Sequence, residues 1–488
     1  MKKTLSLLLA LVMLISLLAC NSTDPQISVP VSESTVEAED NTSFDPNSAH
    51  TYTEEITVKP RALSEGKKTY TCTNCGETYT ETIPATKTLK VLAIGNSFSS
   101  DATEYLWNIA MDGGVETIVV GNLYIGGCTL EKHWTNINNS NNAYTYYKNT
   151  RGKWTNRAST SVQYALKDEE WDIVTIQQAS GSSGMESTYS PLGNIVQFLV
   201  KNEPNAEIYW HMTWAYQQDS THASFPNYGS NQLKMYEKIL NALNSKVKLQ
   251  KSITGIIPAG TAVQNLRSSY IGDTITRDGY HMSHDYGRYT VALTWFAYLT
   301  GGDVDQVDWL PADHKETLKP HLPVIREAVR NALANPEEIT EVKAARPTDE
   351  ALLQSLGKNI SDYELLDWLR EVQSYYNSTV GITLMSHANS TSSNVPNFIS
   401  SVLLTKEDLP NGTVIIVDEG YQYRPEGWVN ETTKNASDRP ANVIATCVVI
   451  TDEWWGKWTI RAFNLSAIAA RKMLLEDVEH LRIYVPKS

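Results

Sequence analysis

Short, nearly continuous apolar runs recur from position 89 to about 335 of this 488-residue chain and alternate with stretches of helical periodicity. Such runs are typical of strands buried on both faces, and their alternation with helices indicates βαβ units around a parallel sheet. We therefore predict a doubly wound α/β/α domain over residues 87–340. Ligands of such sheets bind beyond the carboxyl ends of the strands, so catalytic residues are expected in the loops that follow. The predicted strands are 91–94, 117–124, 173–176, 208–214 and 253–258, and the predicted helices include 104–112, 161–167, 193–201 and 230–243.

The segments on either side of this domain show β-type patterns. Alternating positions in residues 50–86 predict a small unit of short strands around a tight turn at Cys72-x-x-Cys75. With His50, these cysteines are one ligand short of a tetrahedral zinc site, so a local disulfide or plain thiols are favoured. Residues 341–488 are predicted to form a helical connector over 345–375 and then a mostly β accessory domain. Its predicted strands are 380–384, 414–417, 443–450, 458–460 and 481–485.

The N-terminus predicts a lipoprotein signal peptide over residues 1–19. Lys2 and Lys3 precede an apolar run too short to span a bilayer comfortably, and the run ends at Leu17-Leu18-Ala19-Cys20. This end resembles the lipobox of bacterial lipoproteins, which implies acylation of Cys20; an ordinary secretory signal with an incidental cysteine is the alternative. The expected location is the outer face of the cytoplasmic membrane, with residues 20–49 as a disordered linker.

Composition narrows the function classes. Hydrophobic residues make up 41% and charged residues 20% of the chain, which excludes wholesale disorder. The 55 acidic residues outnumber the 41 basic ones, for a net charge of −14. Because such a surface repels phosphate backbones, nucleic acid is a poor candidate partner. The 13 Trp and 25 Tyr exceed the 7 Phe, and rings with a polar handle suit sugar-binding surfaces, although buried rings are the commoner use.

Ser97 is the first candidate for chemistry. It follows the first buried strand directly, after Gly95 and Asn96, and Asp101 and Glu104 have the spacing of a capping box. A serine at the start of a helix and beside the sheet's crevice is well placed to carry developing negative charge. The competing interpretation is that Ser97 only caps the helix.

The second candidate is Asp278-x-x-His281. A carboxylate three residues before a histidine can accept a hydrogen bond from the imidazole, which leaves the other ring nitrogen as a general base. In the alternative interpretation, this is a surface turn in which Asp278 caps Gly279.

Taken together, the two motifs resemble the SGNH (GDSL-type) hydrolase superfamily, in which Gly-Asp-Ser follows the first strand and D-x-x-H closes the domain. This chain has Asn96 where that pattern has Asp. The resemblance is closer to an uncharacterised bacterial lipoprotein family within the superfamily, through NLYIGGCTLEKHW, VTIQQASGSSG, HMTWAYQ and TRDGYHMS. It implies a flavodoxin-like fold, with Ser97 as nucleophile, His281 as base and Asp278 as its orienting carboxylate.

The resemblance also implies three oxyanion donors. They are the nucleophile's N–H, a glycine N–H after the second strand and an Asn side chain after the third. Gly127 fits the glycine, with Gly126 as second choice. No Asn stands at the third position, and Gln178 is the predicted substitute.

Other chemically active side chains have competing interpretations. His211 is favoured as a strand-end histidine over a second base, and His284 competes weakly with His281. Two interpretations are open for Cys128, His133 and Trp134: they line the rim of the site, or they pack in the core. The C-terminal aromatic residues are candidates for a sugar-binding surface, against the favoured interpretation as core; they are Tyr421, Tyr423, Trp428, Trp454, Trp455 and Trp458.

The leading hypothesis is a cell-surface serine esterase that removes acyl groups, such as acetyl, from extracellular carbohydrate. It requires no metal or organic cofactor. The alternatives are a non-catalytic glycan-binding protein on the same fold and an acyltransferase that uses the same residues.

Overall fold

A computed structural model describes residues 50–366, 410–417, 421–426, 447–449, 462–467 and 481–487. The predicted signal peptide, Cys20 and the linker lie outside these residues. So do the predicted strands 380–384 and 458–460 and the tryptophans Trp428, Trp454, Trp455 and Trp458. The chain divides into two units, Met1–Thr51 and Tyr52–Ser488, and the elements below belong to the second. Within the described ranges, no helix is both long and apolar enough to cross a bilayer.

A small antiparallel sheet precedes the α/β domain. It consists of β1 (Tyr52–Val58), β2 (Gly66–Cys72) and β3 (Thr78–Ile83), in that spatial order. Gly76 closes the turn between β2 and β3, because its positive φ of 76° is open to glycine at no steric cost. The segment after β1 is fixed to the α/β domain, since Leu63 N–H donates to the Thr300 carbonyl at 2.8 Å.

The central sheet has seven strands. Five are parallel: β4 (Thr88–Gly95), β5 (Thr117–Tyr124), β8 (Ile173–Ile176), β9 (Glu207–His211) and β10 (Ile253–Ile257). A hairpin of β6 (Tyr144–Asn149) and β7 (Trp154–Thr160) continues the sheet antiparallel, beyond β5. The spatial order is β10-β9-β8-β4-β5-β6-β7. The parallel strands thus have the flavodoxin-like order, which confirms the predicted fold class; the antiparallel edge was not predicted.

Helices cover both faces of the sheet. One layer contains α1 (Ser97–Thr103), α2 (Leu106–Asp112), α7 (Ala259–Arg267), α8 (Tyr286–Thr300) and α10 (Leu322–Ala334), and the other contains α3 (Leu130–Asn138), α4 (Val162–Leu166) and α5 (Leu192–Asn202). Both α6 (Gln232–Ala242) and the short α9 (Lys315–Leu318) lie in connections. Positions 91–94 of β4 are all buried, as strands covered on both faces require.

The described C-terminal elements are mostly strands. A helix, α11 (Asp349–Ser355), precedes β11 (Tyr363–Leu365), β12 (Val414–Val417), β13 (Tyr421–Glu426), β14 (Cys447–Val449), β15 (Ala462–Ala467) and β16 (Leu481–Pro486). Four strands form an antiparallel sheet in the order β11-β16-β12-β14, and β13 pairs with β15. The predicted helical connector is wrong at its end, because residues 363–365 pair with β16 as a strand.

Candidate active site

Ser97 begins helix α1, two residues after β4 ends. Asn96 has extended backbone angles and caps the helix, since its side-chain oxygen accepts the Phe98 N–H at 3.0 Å. The same oxygen accepts from Gln177 Nε2 at 2.9 Å, and Asn96 Nδ2 donates to the Cys128 carbonyl at 3.2 Å. The predicted capping box is therefore wrong, because Asp101 lies inside α1 and the cap is Asn96.

The structure brings Ser97 together with the Asp-x-x-His loop. His281 Nε2 lies 2.8 Å from Ser97 Oγ, and His281 Nδ1 lies 2.6 Å from Asp278 Oδ2. Asp278 Oδ1 also accepts the backbone N–H of His281 at 2.8 Å. Gly279 has a φ of +89°, and a Cβ there would lie 3.1 Å from the Ser220 Cα, so this tight loop requires glycine.

The charge state of Asp278 determines the direction of both hydrogen bonds. Partial burial acts to raise the pKa of this carboxyl, but hydrogen bonds from the His281 ring and from backbone N–H groups outweigh burial and lower it below its ordinary value. An ionised carboxylate only accepts, so His281 Nδ1 carries the proton. Nε2 of the neutral ring is then an acceptor for the Ser97 hydroxyl, which is the arrangement of a nucleophile and its general base.

Asp101 joins the nucleophile's helix to the histidine loop. Its fully buried carboxylate accepts from Arg277 Nη1 at 2.9 Å and from Arg288 Nε at 2.8 Å. Its other oxygen accepts the Met282 N–H at 2.9 Å. Arg277 and Met282 flank Asp278-x-x-His281, so the Asp101 carboxylate holds that loop one helical turn from Ser97. Sequence reasoning missed this role; the available signal was an acidic residue in one motif and an arginine in the other.

Two backbone N–H groups lie just beyond the carboxyl ends of the neighbouring strands β4 and β5, and they belong to Ser97 and Gly127. Gly127 lies in the loop after β5 with a φ of +59°. This loop is held against the start of α1, because Ile125 N–H donates to the Gly95 carbonyl at 3.3 Å and Asn96 holds the Cys128 carbonyl. Within residues 50–366, neither the Ser97 N–H nor the Gly127 N–H has a hydrogen-bond partner.

Gln178 is not available as the third donor, so that prediction is wrong. Its Nε2 donates to the Thr188 hydroxyl at 3.0 Å and to the Thr188 carbonyl at 3.2 Å. Its oxygen accepts the N–H groups of Leu130 and Ala179 at 3.0 and 2.9 Å. If the oxygen and nitrogen of the amide changed places, its NH₂ group would face the N–H donors of Leu130 and Ala179. These partners therefore determine the orientation of the Gln178 side chain. The fully buried Gln178 connects the end of β8 to the start of α3.

Within residues 50–366, neither His211 nor His284 forms a hydrogen bond with Ser97. His211 is buried against Trp295, and its Nδ1 lies 2.9 Å from Gln177 Oε1. Burial lowers the pKa of His211 to about 3, so it is a neutral core side chain, as its favoured interpretation held. His284 is exposed.

Cys128 and His133 have packing roles. Both are buried, and His133 Nδ1 lies 2.9 Å from the Tyr144 hydroxyl. Burial raises the pKa of the Cys128 thiol to about 12, and burial lowers the pKa of His133 to about 3. Neither group is ionised at neutral pH. Trp134 is half-buried against the same core.

Comparison with known proteins assigns residues 90–332 to a domain of unknown function, DUF4886. A DUF4886 family protein from Bacteroides uniformis is 41% identical; the match covers 52% of this chain and 100% of that protein, with a TM-score of 0.49. The chain belongs to the DUF4886 family. No curated protein sequence matches it.

The DUF4886 domain also has distant likenesses among solved structures. A family 3 carbohydrate esterase from Clostridium thermocellum is 13% identical, with 43% of this chain and 94% of that chain covered and a TM-score of 0.27. An acetyl xylan esterase is 12% identical, with 43% and 98% covered and a TM-score of 0.24.

Proposed function

We propose that this protein is an SGNH-type serine hydrolase that cleaves carboxylic esters. The observation that carries the proposal is the continuous chain of hydrogen bonds from Asp278 through His281 to Ser97 Oγ, at 2.6 and 2.8 Å. Ser97 and His281 are 184 residues apart in sequence. If Ser97 only capped a helix and Asp278-x-x-His281 were only a surface turn, the three side chains would not need to form one hydrogen-bonded chain.

The reaction follows from the proton positions. Ser97 Oγ attacks the ester carbonyl carbon while its proton passes to His281 Nε2, and the imidazolium formed is stabilised by Asp278. The oxyanion accepts hydrogen bonds from the backbone N–H groups of Ser97 and Gly127. Collapse breaks the bond to the alcohol, which leaves with the proton from His281. Water, deprotonated by the same nitrogen, then releases the acid from Ser97.

The proposed substrate is an acyl ester, such as an acetyl ester, of extracellular carbohydrate. The lipobox-like end of the signal sequence at Cys20 supports a location at the cell surface on a lipid anchor. The abundance of Trp and Tyr over Phe supports sugar as the alcohol.

The experiment is a comparison of two serines in α1. Replacing Ser97 by alanine should lower the hydrolysis of 4-nitrophenyl acetate by about 10³-fold or more, because the nucleophile is lost. Ser100→Ala is the matched control, since Ser100 Oγ accepts from Asn122 Nδ2 at 3.0 Å and takes no part in the proposed reaction. Undiminished hydrolysis by folded Ser97→Ala would refute the proposal.

A second candidate function is glycan binding without catalysis. It is favoured by the engagement of Gln178 with Thr188, which leaves two backbone donors for the oxyanion where the superfamily pattern has three. Glycan binding by the full chain together with no esterase activity would select this alternative.

A further inference from the structure

The loop after β9 packs against the histidine loop. Residues 212–231 lie between β9 and α6, and Gln217 N–H donates to the Gly279 carbonyl at 2.8 Å. Trp214 Nε1 donates to the Tyr280 carbonyl, also at 2.8 Å. Because Gly279 and Tyr280 lie between Asp278 and His281, these two bonds hold the loop beside the proposed general base.

This packing places a row of rings next to His281. The Tyr280 ring centroid lies 4.1 Å from that of His281, and the His222 ring lies 4.6 Å from Tyr280 at an interplanar angle of 69°. Tyr216 is fully buried and lies 4.7 Å from His222, so it supports the row from within. His222 and Tyr280 are half-buried, and both remain accessible.

The hydrogen bonding of His222 determines its tautomer. The Ser224 N–H donates to His222 Nδ1 at 3.1 Å, so Nδ1 carries no proton and Nε2 does. Within residues 50–366, Nε2–H has no hydrogen-bond partner. Burial, and then the proximity of His281, lower the pKa of His222, against a smaller opposing effect of Asp278. The ring is therefore neutral at neutral pH and presents one N–H donor.

We propose that His222 and Tyr280 form the subsite for the alcohol part of the ester, and that this alcohol is a neutral sugar. The inference rests on the proposed function, in which the departing alcohol oxygen takes its proton from His281. The part of the substrate beyond that oxygen then meets the rings beside His281. A ring face suits the apolar face of a pyranose, and the His222 Nε2–H suits a hydroxyl oxygen.

Local charge favours a neutral alcohol over an anionic one. The ionised Asp278 lies beside the rings and repels anions. The nearest cation in the sequence, Arg277, is occupied by the buried Asp101 carboxylate at 2.9 Å. A sugar without acidic groups satisfies both conditions.

Binding is tested in a Ser97→Ala background, which removes turnover. Isothermal titration with acetylated xylobiose should give a dissociation constant that rises about five- to tenfold on His222→Phe, because the hydrogen bond from Nε2–H to the sugar is lost while an aromatic ring is kept. Tyr280→Ala should raise it by about tenfold. His284→Phe is the matched control, an exposed histidine outside the row, and should leave the value unchanged. Circular dichroism melts verify that each variant is folded.

Turnover gives an independent readout. On the Ser97 enzyme, His222→Phe should lower the ratio of kcat/KM for acetylated xylobiose over that for 4-nitrophenyl acetate by about fivefold or more, whereas a general loss of structure would lower both values together. No binding of acetylated xylobiose by Ser97→Ala, or an unchanged dissociation constant in both folded subsite variants, would overturn this inference. Undiminished hydrolysis of 4-nitrophenyl acetate by folded Ser97→Ala would instead overturn the proposed function, so the two failures are distinguishable.

Discussion

Asn96 shows how one residue accounts for a departure from the superfamily pattern. Its side chain uses both ends of the amide: the oxygen accepts from Phe98 and Gln177, and the nitrogen donates to the Cys128 carbonyl. An aspartate offers no donor to that carbonyl. The asparagine is therefore required by the loop that carries Gly127, and the substitution does not by itself indicate a lost activity.

Replacing Asn96 by the aspartate of the SGNH sequence pattern should destabilise this protein. Asn96→Asp would place a buried carboxylate oxygen near the Cys128 carbonyl, and we expect the free energy of unfolding to fall by about 1–3 kcal/mol, measured by urea denaturation. Asn205→Asp, at an exposed turn, is the control and should change it by less than about 0.5 kcal/mol. Equal effects at the two positions would contradict this account of Asn96.

Asp278 should matter through charge as well as orientation. In Asp278→Asn, the amide oxygen can still accept a hydrogen bond from His281 Nδ1–H. It carries no negative charge, so it does not stabilise an imidazolium. We expect kcat for 4-nitrophenyl acetate to fall by about 10²–10⁴-fold. Asp313→Asn, at an exposed position, is the control and should keep full activity. A kcat for Asp278→Asn within about threefold of the unmodified protein would show that the carboxylate has no catalytic role.

At the scale of elements, the site depends on how α1 and the histidine loop are joined. The Asp101 carboxylate is fully buried and contacts two guanidinium groups that belong to the loop and to α8. Removing one partner of a buried ion pair leaves an uncompensated charge, which costs far more than an exposed pair contributes.

Asp101→Asn should therefore lower the free energy of unfolding by about 3–5 kcal/mol in urea denaturation. Glu54→Gln is the matched comparison, since Glu54 pairs with Lys68 at 3.1 Å with its side chain 63% exposed, and the expected change is at most about 1 kcal/mol. If Asp101→Asn lowered the free energy of unfolding no more than Glu54→Gln does, the ion pairs of Asp101 between α1 and the histidine loop would contribute little to stability.

The elements that sequence predicted best are those that burial determines. The five parallel strands were predicted because both of their faces are covered, so their residues read as apolar runs. The hairpin of β6 and β7 was missed, because β6 mixes aromatic, polar and charged residues, such as Tyr144 and Lys148, and so contains no apolar run. The residues predicted at the site occupy strand ends, where topology alone brings Ser97 and Gly127 to one edge. The donor role of Gln178 depended on which way an amide points, and only its partners Leu130 and Ala179 determine that.

At the scale of the whole molecule, the three histidines that are buried within residues 50–366 make stability depend on pH. Burial is the main cause that lowers the pKa of each to about 3, and the three are His133, His211 and His321. Below a pH of about 6.5 the unfolded chain binds protons at these rings while the folded chain does not, so stability falls as the pH falls from about 6.5 toward 3.

At pH 5 the loss should be about 2 kcal/mol for each of these rings. The free energy of unfolding, measured in urea at pH 7.5 and pH 5.0, should therefore drop by less in His211→Gln than in the unmodified protein, by about 2 kcal/mol. An identical drop in the two proteins would mean that His211 is protonated in the folded state.

Reaction of the folded protein with a fluorophosphonate probe, followed by mass-spectrometric mapping of the modified peptide, tests the central claim most directly. A hydroxyl whose proton is drawn to an imidazole attacks phosphorus, and an ordinary helix-cap serine does not. We expect modification at Ser97 that is lost in Ser97→Ala and strongly slowed in His281→Gln. Absence of the label from Ser97, or equal labelling rates with and without the His281 imidazole, would contradict it.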